Sequence, residues 1–239
     1  MNMSNTWELL VGHMDWLAPD VCHVCLQAES NRLPDYLPGQ YLKLHLEDCS
    51  ARAYSIASAP ESGLLEIQIK TTGDNQPLIQ SLRSKSKVMI DIPHGCCRLP
   101  DNERNLLMVA GGTGVSQMRS IILSSIARNE SRSMWLYWGV DSSASLYLDH
   151  ELRELSTQHP RFHYVPVLAT AENRRLDRIG YPHEYVLRDF ESLSDFEIII
   201  SGSKKMAIDL YRDFSSVGVE QNRMHCDWLD ILRSQNIMQ

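Results

Sequence analysis

The sequence predicts two domains: an N-terminal antiparallel six-stranded β-barrel over residues 1–102, and a C-terminal α/β domain with a parallel sheet over residues 103–239. Three observations carry this. The first hundred residues alternate apolar and polar positions in short runs, as in Tyr41-Leu-Lys-Leu-His-Leu46 and Leu65-Glu-Ile-Gln-Ile-Lys70, the period-two signature of half-buried strands. Beyond residue 105 the apolar runs become continuous and alternate with helix-like segments, as strands covered on both faces require. A length of 239 residues accommodates two modest domains.

Strand-like segments near 6–13, 19–28, 40–47, 52–58, 64–70 and 87–92 make up the barrel. Leu37-Pro-Gly39, Ala59-Pro-Glu-Ser-Gly63 and Pro93-His-Gly95 are the turn signals between them. Closure disposes of exposed sheet edges, which favours a barrel at this size. A short helix is expected at Pro77–Arg83, with Pro77 in its first turn. Polar Pro100-Asp-Asn-Glu-Arg-Asn105 marks the junction. Leu106-Leu-Met-Val-Ala110 then reads as a buried strand, followed by a helix from Val115 to about Ala127. Strands at Met134–Gly139, Phe162–Leu168 (Pro166 near its end) and Phe196–Ile200 alternate with helices near 147–157, 181–190 and 204–214. Such alternation implies right-handed crossovers in a parallel sheet.

Composition narrows the function. Twenty-three basic and 30 acidic residues give a net charge of −7. Residues 1–102 carry 8 basic and 12 acidic groups and residues 103–239 carry 15 and 18, so both halves are mildly acidic. A nucleic-acid partner would call for a basic stripe and a membrane surface for a polybasic patch; the sequence has neither. No apolar run approaches the ~20 residues of a membrane span, and Met1–Leu10 carries Glu8 with no basic residue, unlike a signal peptide. A cytoplasmic protein with reduced thiols is expected. Cys22 and Cys25 form a CxxC pair, but within a strand they project to opposite faces and read as a small core residue and a small surface residue. No cysteine spacing fits an iron–sulfur frame, and no His/Cys/carboxylate cluster has metal-ligand spacing, so no metal is expected.

Two segments carry chemistry. Ala110-Gly-Gly-Thr-Gly114 joins the exit of a buried strand to a helix. Glycines there admit a phosphate to the backbone, and the helix N-terminus offers N–H donors; a ligand-free tight turn is the plain alternative. Arg52-Ala-Tyr-Ser55 opens a barrel strand with a cation, an aromatic face and a hydroxyl. These suit a flavin's phosphate, its ring and its N5 edge, and an ordinary edge strand is the plain alternative.

The pair, in this order and on these two domain types, resembles the ferredoxin–NADP reductase superfamily. Pro38-Gly-Gln-Tyr41 matches its turn before the flavin strands. Ile90-Asp-Ile-Pro-His-Gly95, Ile126-Ala-Arg-Asn129 and Tyr137-Trp-Gly139 resemble the bacterial NAD(P)H-flavin reductases, including those that serve luciferase. The resemblance covers nearly the whole chain. It implies a flavin-binding barrel and a nucleotide-binding α/β domain, in an oxidoreductase moving a hydride from NADH or NADPH to FMN, FAD or riboflavin. The flavin is either a released substrate serving an acceptor such as a luciferase or monooxygenase, or a retained FAD passing electrons to a protein partner.

On this resemblance Arg52 and Ala53 border the flavin's phosphate or ribityl end, Tyr54 packs on the ring, and Ser55 bonds the N5 side. Gln68, Ile69 and Lys70 border the isoalloxazine, Thr72 receives a phosphate, and Trp228 covers the ring. Gly111, Gly112, Thr113 and Gly114 take the NAD pyrophosphate, while Gly202 and Ser203 admit the nicotinamide. Ser55 and Ser201 are the catalytic candidates; Ser201 stands where electron-transferring members carry cysteine, and Gln117 where many carry proline. Asp141 would repel a 2′-phosphate and accept from a ribose hydroxyl, which favours NADH over NADPH. Lys204 and Lys205 read as solvated helix residues, and His94 and His225 as turn or surface residues.

Overall fold

The computed structural model describes residues 6–30, 32–46, 50–71, 76–84, 86–170 and 178–234. The chain divides into two compact units: Met1–Leu99 with Arg119–Arg128, and Pro100–Met118 with Asn129–Gln239. This grouping returns the second half of one helix to the first unit, which a division at residue 102 does not.

The first unit holds β1 (Thr6–Ala18), β2 (Val21–Gln27), β3 (Tyr41–His45), β4 (Ala51–Ser55), β5 (Leu65–Lys70), α1 (Gln76–Ser84) and β6 (Lys87–His94). All six strands pair antiparallel in the order β4-β3-β6-β1-β2-β5. An Ile56–Ile67 bridge joins the two outer strands and closes the barrel. Alternate residues point inward, so Cys22, Val24, Leu42, Leu44, Leu65, Ile67, Ile69 and Ile90 fill one core. Leu78, Ile79 and Leu82 turn one face of α1 into that core. Cys22 and Cys25 do face opposite ways, yet both are buried, at 0% and 8% exposure, so neither is a surface residue. Burial pushes both thiols above the ordinary range, which leaves them unreactive.

The returned helix segment is fastened by polar contacts. Arg119 Nη1 donates to the Ala57 carbonyl at 2.9 Å and to Glu66 Oε2 at 3.0 Å. Ser120 Oγ donates to the Ser58 carbonyl at 2.6 Å. His23 approaches Glu66 at 3.4 Å. The His23 hydrogen bond and then the Arg119 charge outweigh burial and hold the Glu66 carboxyl below its usual range.

The second unit holds β7 (Asn105–Gly111), the start of α2 (Val115–Ala127), β8 (Met134–Val140), α3 (Asp149–Gln158), β9 (Phe162–Leu168), α4 (Pro182–Asp189), β10 (Phe196–Ser201), α5 (Lys204–Ser216), β11 (Met224–His225) and α6 (Asp227–Ser234). Its five strands run parallel in the order β11-β10-β7-β8-β9. The chain winds outward from β7 through β8 to β9, then crosses to β10 on the other side of β7. Leu107, Val109, Phe196, Ile198 and Ile200 are buried in one core with α5 residues Ala207, Leu210 and Phe214. Pro166 lies inside β9 opposite Trp138 rather than near the strand's end. It is tolerated because β9 is an edge strand, whose outward N–H row needs no partner. The two-residue β11 and helix α6 are not among the elements expected from the sequence. No described helix is long and apolar enough to cross a membrane.

Candidate functional site

In the first unit, β4 sets out Arg52, Ala53, Tyr54 and Ser55 by strict alternation. Arg52 lies opposite Leu44 and Tyr54 opposite Leu42, so these two share a face. Ala53 lies opposite Lys43 and Ser55 opposite Tyr41, on the other face. Arg52 hydrogen-bonds the Tyr54 hydroxyl; burial raises the phenol's pKa, and the Arg52 charge and hydrogen bond partly offset it. A guanidinium and a half-buried ring thus stand side by side on one face, and the hydroxyl of Ser55 stands on the reverse.

Barrel closure brings β5 beside this strand. Gln68 is 6% exposed. Ile69 is 0% exposed and belongs to the barrel core, so only its backbone can border a ring. Lys70 pairs with Asp20 at 3.7 Å, which engages part of its charge. Thr72 lies outside the described residues.

The register also assembles a row that motif reading left apart. Tyr41 lies opposite both Ser55 on β4 and His94 on β6. The Tyr41 and His94 rings stack at 5.5 Å and 22°. His94 Nε2 is enclosed without a hydrogen-bond partner among the described residues. Burial, then the Lys43 charge, lowers its pKa and favours the neutral ring. His94 therefore packs on Tyr41, one strand removed from Ser55, although its sequence setting reads as a turn. Pro-Gly-Gln-Tyr41 and Pro93-His-Gly95 are visible in the sequence, but their cross-strand pairing is not.

In the second unit, Gly111 ends β7, Gly112–Gly114 form a 3₁₀ turn, and α2 follows at once. Next to β7 in the sheet, β10 ends at Ser201, opposite Ala110. These adjacent carboxyl ends flank the point where the winding reverses, where open parallel sheets bind their ligands. The two loops touch. A Cβ on Gly114 would lie 2.3 Å from the Ser201 carbonyl oxygen, and one on Gly202 would lie 3.3 Å from the Gly111 nitrogen. Gly112, at φ +52°, has open space where a side chain would be. Half-buried Thr113 lies between them.

Three side chains fix these loops. The wholly buried Trp138 donates Nε1–H to the Gly112 carbonyl at 2.8 Å. This gives Tyr137-Trp-Gly139 a function that the sequence did not disclose: the indole supports the glycine turn from the next strand. Ser203 caps α5, accepting from the Met206 N–H at 3.2 Å. Trp228, 40% exposed on α6, donates Nε1–H to the Gly202 carbonyl at 3.2 Å. At the end of β8, Asp141 is exposed and its backbone carbonyl accepts from Thr170. Lys205 pairs with Asp209 at 2.6 Å, so its charge is engaged within α5.

Comparison with known proteins agrees with this geometry. Residues 108–211 match the family described as the oxidoreductase NAD-binding domain. An NAD(P)H-flavin reductase of Vibrio harveyi is 35% identical over 179 residues, spanning 71% of this chain and 76% of that protein. A CDP-6-deoxy-L-threo-D-glycero-4-hexulose-3-dehydrase reductase of Yersinia pestis is 26% identical over 226 residues, spanning 93% of this chain and 68% of that protein. The ferredoxin NADP+ reductase of Neisseria gonorrhoeae, solved with FAD and NADP, superposes with a TM-score of 0.76 at 19% identity, over 91% of this chain and 94% of that one. The last likeness is one of fold.

Proposed function

The chain belongs to the NAD(P)H-flavin reductases of the ferredoxin–NADP reductase superfamily, an oxidoreductase group of NAD(P)H-dependent flavin-linked reductases, and from that premise we propose that it reduces free flavin with NADH. The observation that carries the reading is the pair of glycine loops, Gly111–Gly114 and Ser201–Ser203, at adjacent carboxyl ends where the sheet's winding reverses. When bound, NADH would supply a hydride and the flavin would accept it.

The chain's own task is alignment. Gly111, Gly112, Thr113 and Gly114 cradle the pyrophosphate with backbone N–H groups, because three of the four have no side chain to intervene. Ser201, Gly202 and Ser203 leave room for the nicotinamide. Arg52 holds a flavin phosphate and Tyr54 flanks the ring. Ser55 offers its hydroxyl on the N5 side, Trp228 covers the ring, and Gln68, Lys70 and the backbone of Ile69 complete the border. With an overall charge of −7, anion binding depends on these local donors rather than on a general positive field. The reduced flavin leaves for an acceptor in the cytoplasm, a luciferase or monooxygenase being the class expected.

Asp141 supports NADH as the donor. An exposed carboxylate after β8 accepts from a ribose hydroxyl and repels a 2′-phosphate, and Lys205 is occupied by Asp209. Asp141→Ala should raise the NADPH/NADH ratio of kcat/KM by about three- to tenfold, as expected for removing one partly solvated repulsion. An unchanged ratio would remove the basis for the NADH preference.

A second reading, a reductase that keeps FAD and serves a protein partner, draws on the Yersinia dehydrase reductase, which matches over 93% of this chain. Gel filtration at micromolar protein decides between them. A colourless protein that regains activity with added FMN fits free flavin. A protein that stays yellow, with stoichiometric FAD, fits the second reading.

A further inference from the structure

The third residue of α2 is Gln117, at a position where the superfamily often has proline. It is 2% exposed, and its Nε2 donates to Asp227 Oδ2 at 3.0 Å. Asp227 opens α6, and the next residue is Trp228, with its indole N–H on the Gly202 carbonyl. The strand before α6 is only two residues long, so the ladder contributes little to fixing this segment. Side chains do the fastening: His225 to the buried Glu197 at 2.7 Å, Asp227 to Gln117, and Trp228 to Gly202. The indole is thereby held against the loop assigned to the nicotinamide and uses an acceptor there.

We infer that Gln117 is a positioning residue for nicotinamide entry: its side-chain amide latches α6 to α2, keeps the Trp228 indole on Gly202, and so sets how readily the nicotinamide gains that loop. The inference rests on the assignment of Ser201–Ser203 to the nicotinamide made above. A proline at this position has no amide to donate, so the latch is a property of the glutamine.

Proline is compatible with the first turn of a helix, so Gln117→Pro removes the latch without breaking α2. Asp227→Ala removes the acceptor from the other side. Calorimetric titration with NAD+, and steady-state kinetics with NADH and FMN, are run on the wild type, both latch variants, Trp228→Phe and the Gln117→Pro/Trp228→Phe double variant. Losing one net hydrogen bond from the closed arrangement should tighten NAD+ binding and lower the KM for NADH by about three- to tenfold in both latch variants. The effect on nicotinamide affinity should vanish in the Trp228→Phe background, because the latch acts through that ring. Unchanged nicotinamide affinity in both latch variants, an equal change in the Trp228→Phe background, or no NAD+ binding at all would overturn the inference. Wild-type turnover is read separately: its absence defeats the flavin-reductase reading, whereas the NAD+ titrations still decide on the latch.

Discussion

Arg52→Ala should raise the KM for FMN and FAD by about 10- to 100-fold, the equivalent of one or two charge-assisted hydrogen bonds, while the KM for riboflavin changes less than about threefold. The contrast follows from chemistry: riboflavin has no phosphate for the guanidinium to hold. Arg52 stands beside Tyr54 on one face of β4 and bonds its hydroxyl, so some loss of ring packing is expected for all three flavins. Arg52→Lys keeps the charge but not the planar fork, and should fall between wild type and alanine. Steady-state kinetics with the three flavins measure this directly. Equal losses for all three would show that Arg52 serves the ring or the fold, not a phosphate.

Gly114→Ala should lower kcat/KM for NADH by about 100-fold or more. The new methyl would fall 2.3 Å from the Ser201 carbonyl oxygen and 2.6 Å from its carbon, both backbone atoms that cannot rotate away. The glycine turn and the β10 loop would have to separate, and a displacement near 1 Å at a reacting centre costs about two orders of magnitude. Gly112→Ala tests the same cradle without the clash between loops. It has open space, and its cost is the left-handed backbone at φ +52°, roughly 1–2 kcal/mol of stability. Kinetics should therefore show losses with NADH in both variants, and thermal unfolding should show the added left-handed cost in Gly112→Ala. Full activity in Gly114→Ala would mean that contact between these loops does not matter for NADH.

Much of this architecture is legible before any coordinates, because period-two alternation and continuous apolar runs are local signals. The six barrel strands and the four long parallel strands follow from them. Strand β11 escapes because a two-residue strand has no period, whereas helix α6 does carry a local signal in Leu229 and Leu232, both buried and three residues apart. Pro166 misleads because a proline limits a strand only where the N–H is needed, and edge position is a property of the sheet. Site residues divide in the same way. The glycine turn and Arg52-Ala-Tyr-Ser55 are contiguous and announce themselves. The Tyr41–His94 stack, the Trp138 support under Gly112 and the Gln117–Asp227 bond join residues 26 to 110 positions apart, and only pairing register and helix packing reveal them. Ile69 shows the opposite error: a residue adjacent to a good candidate points into the core instead.

The central claim is that this chain passes hydride from NADH to exchangeable flavin. The most direct test is anaerobic mixing of the purified protein with NADH and, in separate reactions, FMN, FAD and riboflavin, following loss of NADH absorbance together with loss of flavin colour. The account predicts catalytic turnover with added flavin in excess of protein, one flavin reduced per NADH consumed, faster with NADH than with NADPH. No NADH consumption with any of the three flavins would contradict it.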